Sequence, residues 1–172
     1  MNKKILITGV AGFIGSKVAE RFIDEGFHVY GVDDLSSGKE KNIPKGLEFI
    51  KLDLSEGKKF SILPRNCKII LHLAGQSSGE ISFENPIYDL EANTESTIKL
   101  ADYAINNGCS RFIYASSMSV YGTVKNKPID EKSKLLNSYF NSSITFLVRE
   151  SDFFDLSNLT PLPFLRNSIS FL

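Results

Sequence analysis

KILITGVAGFIG, residues 4–15, decides the fold. A short apolar run, residues 5–7, ends in Gly9, Gly12 and Gly15, spaced three apart, and Asp33 follows eighteen positions after the last of them. Residues 16–25 carry the amphipathic spacing of a helix that closes at Gly26, and a second apolar run, residues 28–32, leads to Asp33. Strand, glycine turn, helix and acid-tipped strand together read as a dinucleotide-binding unit. In that unit Gly9 permits the tight turn, Gly12 lets backbone N–H groups approach a pyrophosphate, and Gly15 lets the helix pack on the strand. The helix N-terminus offers unpaired N–H donors and partial positive charge, which favour phosphate. Asp33 would accept from the adenosine ribose hydroxyls and repel a 2′-phosphate, so NAD is expected in preference to NADP.

The 172 residues suffice for one domain with a single good core. Twenty basic and twenty acidic residues balance to zero, and no basic stripe points to nucleic acid. No apolar run approaches the roughly eighteen residues of a membrane span. Cys67 and Cys109 are isolated beside strand-like runs and are expected as buried free thiols in a reducing compartment. His28 and His72 lack partners at ligand spacing; both are read as structural, and no metal site is expected. The apolar run after Lys4 breaks at Gly9 with no Ala-x-Ala site behind it, so a cytoplasmic chain without a secretory signal is expected.

Further strand-like runs at residues 47–51, 68–73 and 111–116 alternate with helical patterns. The last two are nearly continuous in apolar character, as strands buried on both faces should be. Between them Pro86 opens a helix to about Asn106, with Leu90, Asn93, Thr97, Leu100, Ala101 and Ala104 roughly on one face, and Asn107-Gly108 stops it. Five strands with crossovers predict an α/β doubly wound parallel sheet, with ligand at the carboxyl ends where Gly9, Asp33, Asp53, Ala74 and Ser116 fall. The composition then shifts. All fifteen lysines lie at or before Lys134, none occurs in the last 38 residues, and glycine is absent from residues 140–172. That tail has one plausible strand, residues 144–148, and no room before it for the usual crossover helix.

VDDLSSG (32–38), LDL (52–54), HLAG (72–75), Asn85-Pro86 with Asn93, and SSMSVYG (116–122) resemble, in this order, the NAD-dependent epimerase/dehydratase family, the extended short-chain dehydrogenases typified by UDP-glucose 4-epimerase. The resemblance runs from Lys4 to about Tyr139. It implies a Rossmann fold, tightly bound NAD and a nucleotide-sugar substrate, most commonly a UDP-sugar. Phe13 and Ile14 would then lie under the pyrophosphate. Asp33, Asp34, Leu35, Ser36, Ser37 and Gly38 would surround the adenosine ribose. Asp53 and Leu54 would border the adenine, and Leu73, Ala74, Gly75 and Gln76 would back the nicotinamide ribose. Asn93 matches a helix asparagine that serves as a structural tie. Ser117 matches the Ser/Thr that hydrogen-bonds the reacting sugar hydroxyl; its bland alternative is a serine satisfying backbone at a strand end.

Tyr139 stands where the family places its catalytic base, opening Tyr-x-x-x-Lys, but the stretch here is YFNSS (139–143) and the lysine position is Ser143. Tyrosine ordinarily titrates near pH 10, so a base working near neutrality needs its tyrosinate favoured by about 4 kcal/mol. A cation within about 4–6 Å supplies much of that, and a serine supplies no charge. Tyr139 therefore keeps two readings, catalytic base and ordinary half-buried aromatic. The expected organisation is an NAD-binding domain over residues 1–139 and a divergent tail over 140–172, possibly out of frame, with no substrate domain. The sheet is expected to be incomplete on its C-terminal side, with one edge or face exposed, and the family's homodimer interface is expected to be disrupted. Three functions remain open: the NAD-binding domain of an impaired nucleotide-sugar epimerase or dehydratase; a non-catalytic NAD-binding module or gene remnant; or a reductase acting on a small carbonyl, which also wants the missing lysine.

Overall fold

The computed structural model describes residues 3–117, 121, 128, 130, 133 and 170–171. β1 (Lys4–Thr8), β2 (His28–Asp33) and β3 (Glu48–Lys51) step outward in one direction, and β4 (Ile69–His72) and β5 (Arg111–Tyr114) in the other. With β6 (Ser170–Phe171) the order is β3-β2-β1-β4-β5-β6, and every neighbouring pair is parallel. This is the doubly wound Rossmann sheet, with its switch point between β1 and β4. Ile5 lies opposite both Val29 and Ile69, and Thr8 opposite both Val32 and His72, so the carboxyl ends of the central strands finish level.

Both faces of the sheet are covered, which explains why its central strands read as unbroken apolar runs. Ile5, Ile7 and Leu71 pack with Val10, Ala19 and Val29 beneath α1 (Phe13–Asp24). The alternate residues Leu6, Ile70 and Phe112 meet Leu100, Tyr103 and Ala104 of α4 (Ser96–Asn106) on the opposite face.

Each of these helices ends on a glycine in the left-handed region: Gly26 at φ 80° and Gly108 at φ 68°. Phe27 N–H returns to Phe22 O at 3.0 Å and Gly26 N–H to Ile23 O at 2.9 Å. At α4 the same pair of bonds joins Cys109 N–H to Ala104 O and Gly108 N–H to Ile105 O. The paired bonds satisfy carbonyls that a helix end otherwise leaves open. An edge-on contact of the Phe22 and Phe27 rings, 4.9 Å between centroids, seals the first stop.

The helix expected from Pro86 is present but not uniform. Asn85 caps it, its Oδ1 accepting from Tyr88 N–H at 3.1 Å, and α3 (Pro86–Leu90) passes through a π turn, Glu91–Glu95, into α4. Each π bond spans five residues instead of four, so one extra residue enters the turn and the apolar stripe rotates by about 100°. Leu90 therefore leaves the face shared by Leu100 and Ala104 and is 47% exposed. Ahead of it, α2 (Gly79–Glu84) forms where the sequence pattern shows no helix; Ser78 caps it by accepting from Ile81 N–H.

The strand expected at residues 144–148, the domain boundary at 139/140 and Tyr139 itself lie outside the described residues. β5 carries β6 on its outer side, with Ile113 opposite Ser170 and Tyr114 opposite Phe171. The pattern could not show this pairing, because two residues are too few to make a periodic signal.

Cys67 and Cys109 are free and buried in the α4-side core. Burial pushes the Cys67 thiol up to about 11 and raises that of Cys109, so neither supplies thiolate near neutrality. An aromatic disulfide reagent should therefore label neither thiol in the native protein at pH 8 and both after denaturation; rapid native labelling would contradict this packing.

Candidate dinucleotide-binding site

The site begins where β1 leaves the sheet. Gly9 turns at φ 75°, and a Cβ there would sit 2.8 Å from Ala74 N, inside the backbone leaving β4. A Cβ on Gly15 would stand 2.0 Å from Gly9 O, so the first turn of α1 is pressed on the glycine turn itself rather than on the strand. Gly12 is the N-cap of α1, extended at φ −81° and ψ 173°. Its N–H donates to Gly9 O and its carbonyl accepts from Ser16 N–H. The helix begins at Phe13, so the N–H groups of Phe13, Ile14 and Gly15 have no partner within the helix. No acidic side chain occupies that first turn. The side chains of Phe13 and Ile14 are 87% and 62% exposed.

Asp33 closes the opposite wall. Its Oδ2 accepts from Ala11 N–H at 2.9 Å and its Oδ1 from Leu35 N–H at 2.8 Å. One carboxylate thus ties the glycine turn to the loop after β2, with one acceptor position left on each oxygen. Leu35 takes the left-handed region at φ 65°, and Asp34 accepts from both the N–H and the hydroxyl of Ser36, which folds the loop back. Asn42 completes the tie: its Nδ2 donates to Ala11 O at 3.1 Å, beside the Lys39 N–H bond to the same oxygen. The sequence pattern does not single out Asn42; a lone polar residue nine positions past an acid carries no signal.

Gly9, Gly12, Asp33, Asp34, Ser36, Ser37 and Gly38 line one cleft of about 230 Å³; Phe13, Ile14, Gly15 and Leu35 are not among its lining residues. Asp53, Leu54 and residues 73–76 complete the wall. Asp53 Oδ1 accepts from Ser55 N–H, and Leu54 is 6% exposed and part of the core, so it meets the cleft only at an edge. A wider, shallower depression of about 730 Å³ lies between residues 55–60 and α4. Lys58, Lys59 and Lys99 line it beside the start of the short 3-10 helix Gly57–Ile62, but it has no left-handed glycine turn at the carboxyl ends of the strands, so the smaller cleft at the switch point is the better dinucleotide site.

At the end of β5, Ser116 Oγ is buried with no hydrogen-bond partner among the described residues, while Ser117 stands exposed one position later. Tyr139 and Ser143 lie outside the described residues. Gln76 is held through its main chain by Asn93: Gln76 N–H donates to Asn93 Oδ1 at 2.8 Å and Asn93 Nδ2 to Gln76 O at 3.0 Å. A Cβ on Gly75 would meet Asn93 Oδ1 at 2.9 Å, so the bare face of that glycine makes room for the asparagine.

The family's sequence profile, described as the NAD dependent epimerase/dehydratase family, matches residues 5–143. This chain belongs to that family. It is 36% identical over 135 residues to the UDP-glucose 4-epimerase of Mycolicibacterium smegmatis, covering 74% of this chain and 43% of the relative. The crystal structure of the Thermotoga maritima UDP-glucose 4-epimerase with UDP-glucose superposes with a TM-score of 0.69 at 34% identity, over 77% of this chain and 44% of that one. The Thermus thermophilus UDP-glucose 4-epimerase in complex with NAD gives 0.68 at 30% identity, again over 77% and 44%. The chain thus spans less than half the length of the relatives it matches. The bare glycine turn, the open first turn of α1 and the acid of the opposite wall fit the dinucleotide on which the family depends.

Two measurements check this geometry. Gly15→Ala should cost more than about 3 kcal/mol of stability, because backbone must move to admit the methyl group. Gly79→Ala, which meets nothing within 4 Å at the start of α2, should be neutral or gain up to about 1 kcal/mol. Equal effects in chemical denaturation would contradict the close packing at Gly9.

His72 generates a second prediction. It is 1% exposed, and burial lowers its ring from the ordinary 6.5 to about 4. Between these values the unfolded chain holds the extra proton, so acid favours unfolding. The contribution is complete above about pH 6.5 and is lost as the pH falls to about 4, a difference of about 3 kcal/mol. The ring resonances of His72 should accordingly show no titration between pH 8 and pH 5; a midpoint near 6.5 would contradict the burial.

Proposed function

We propose that this chain is the NAD-binding region of a nucleotide-sugar 4-epimerase acting on a UDP-sugar. The observation that carries the reading is the single cleft in which the glycine turn, Asp33 and residues 73–76 meet, in a family whose similar members of known activity include UDP-glucose 4-epimerases. In this reading the N–H groups of Phe13, Ile14 and Gly15 receive the pyrophosphate, with Gly9 and Gly12 keeping the approach clear. Asp33 accepts from the adenosine ribose at the free position on each oxygen. Asp34, Leu35, Ser36, Ser37 and Gly38 enclose that ribose, Asp53 and Leu54 edge the adenine, and Leu73, Ala74, Gly75 and Gln76 back the nicotinamide side. NAD, when bound, supplies the acceptor and donor of hydride at a sugar carbon.

The chain's own chemistry is proton handling. Ser117, exposed at the carboxyl end of β5, orients the reacting hydroxyl, and Tyr139 removes its proton. In this reading residues 1–139 are the NAD-binding unit and residues 140–172 a divergent tail, of which Ser170–Phe171 add a short strand beside β5. Both thiols are free, as in a reducing cytoplasmic setting, and no described helix is long and apolar enough to cross a membrane.

A second reading rests on Ser143. Without a cation one helical turn after Tyr139, nothing in that motif favours the tyrosinate, and the chain binds NAD while turning sugar over slowly or not at all. Calorimetric titration with NADH, NADPH and UDP-glucose, alongside an assay for UDP-glucose/UDP-galactose interconversion, separates the readings. NADH should bind at least about tenfold more tightly than NADPH, because Asp33 faces the 2′-phosphate position. NADH binding without turnover supports the non-catalytic reading, turnover at an ordinary enzymic rate removes it, and no NADH binding sinks both.

A further inference from the structure

Thr8, His72 and Thr97 are each at most 2% exposed and meet between the ends of β1 and β4 and the first turn of α4. Thr8 Oγ1 accepts from Leu73 N–H at 3.1 Å and Ala74 N–H at 3.0 Å, which occupies both of its lone pairs. Its own proton is then the one available for His72 Nδ1, 2.7 Å away. Nδ1 must therefore be bare and the ring proton must sit on Nε2. Nε2–H donates to Thr97 Oγ1 at 3.0 Å, and the Thr97 hydroxyl donates to Asn93 O at 2.6 Å. The side chain of that same Asn93 holds both polar main-chain groups of Gln76. Burial opposes a charged ring, in keeping with the neutral form.

The bonds close a circuit around residues 73–76. Thr8 grips the beginning of the segment through two amides, and Asn93 grips its end through an amide and a carbonyl. His72 is the rigid spacer between the grips, reading the Thr8 proton on one ring nitrogen and passing its own to Thr97 from the other. Asn93 lies in the π turn, and its carbonyl accepts from the hydroxyl of Thr97 four residues on, as Ala92 O accepts from the hydroxyl of Ser96 at 2.6 Å.

We propose that His72, as the neutral Nε2–H tautomer, is a positioning residue that fixes residues 73–76 against the nicotinamide half of the dinucleotide, acting through Thr97 and Asn93. The proposal rests on the reading that this segment backs the nicotinamide ribose, and it makes a selective demand. Loosening the circuit disturbs the nicotinamide side and leaves the adenosine side, held by Asp33, Asn42 and the glycine turn, in place.

The test uses the full chain and two probes, ADP and NADH, in calorimetric titrations of the wild type, Thr97→Val and Thr97→Ser; ADP keeps the adenosine and pyrophosphate and lacks the whole nicotinamide half. Thr97→Val keeps the shape and removes the hydroxyl. It should weaken NADH about tenfold or more while ADP stays within about twofold, and Thr97→Ser should restore NADH binding. Equal weakening of both probes, or no change in either, overturns the positioning role. If the wild type binds neither probe, the dinucleotide reading falls and the role falls with it. The tautomer is read separately on the wild type from the ring nitrogen resonances of His72. A protonated Nε2 and bare Nδ1 are expected, and the reverse tautomer overturns the circuit even where Thr97→Val does not fold.

Discussion

Three stretches of backbone meet at Gly9 with no space for a side chain between them. A Cβ on Gly9 would enter the main chain at Ala74, and a Cβ on Gly15 would enter the carbonyl of Gly9. The exit of β1, the exit of β4 and the first turn of α1 are therefore fixed relative to one another by hard-sphere contact, which is stiffer than any single hydrogen bond. Much of the candidate site follows from that constraint. It aims the open N–H groups of α1 across the carboxyl ends of the strands. It also brings Ala11 within reach of Asp33, and through that carboxylate the loop after β2 joins the same rigid unit.

The buried polar side chains around Thr8 show the complementary constraint. The sheet centre is apolar on both faces, so a threonine and a histidine there must find partners or destabilise the fold. Thr8 and His72 find them in main-chain amides, in Thr97 and in each other, and the circuit reaches the helix opposite. The polar groups most costly to bury are thereby the ones that join the sheet to the segment beneath the cleft. Removing one leaves others unsatisfied in a dry setting, so these residues act as a unit.

Much of this is legible in the sequence because it rests on short-range stereochemistry. Gly9, Gly12, Gly15 and Asp33 declare the turn and its acid, Gly26 and Gly108 stop the helices by adopting the left-handed region, and the apolar runs mark strands covered on both faces. Strand bounds differ from the expected ones by at most two residues. What escapes depends on contacts between distant residues. His72 reads as structural because one histidine shows no partner until β1 and α4 are brought beside it. Asn42 reads as nothing, since its target is a carbonyl 31 residues away. The helix from Pro86 reads as regular, with Leu90 on its buried face, because the π turn inserts a residue that apolar periodicity does not report. The neighbouring Ser96 and Thr97, each bonded to the carbonyl four residues back, are the available clue. The proposed proton-handling residues, Ser117 and Tyr139, are legible only as motifs, the second with Ser143 in place of its lysine, and Tyr139 and Ser143 lie outside the described residues.

Whether NAD occupies the proposed cleft at the β1–β4 switch point is tested most directly by backbone amide resonances followed during addition of NAD. The largest shifts are expected at Phe13, Ile14 and Gly15, at residues 33–38 and at residues 73–76, with little change along residues 55–60 and the exposed side of α4. Shifts concentrated in that second, wider depression, with Phe13, Ile14 and Gly15 unmoved, would contradict that occupancy.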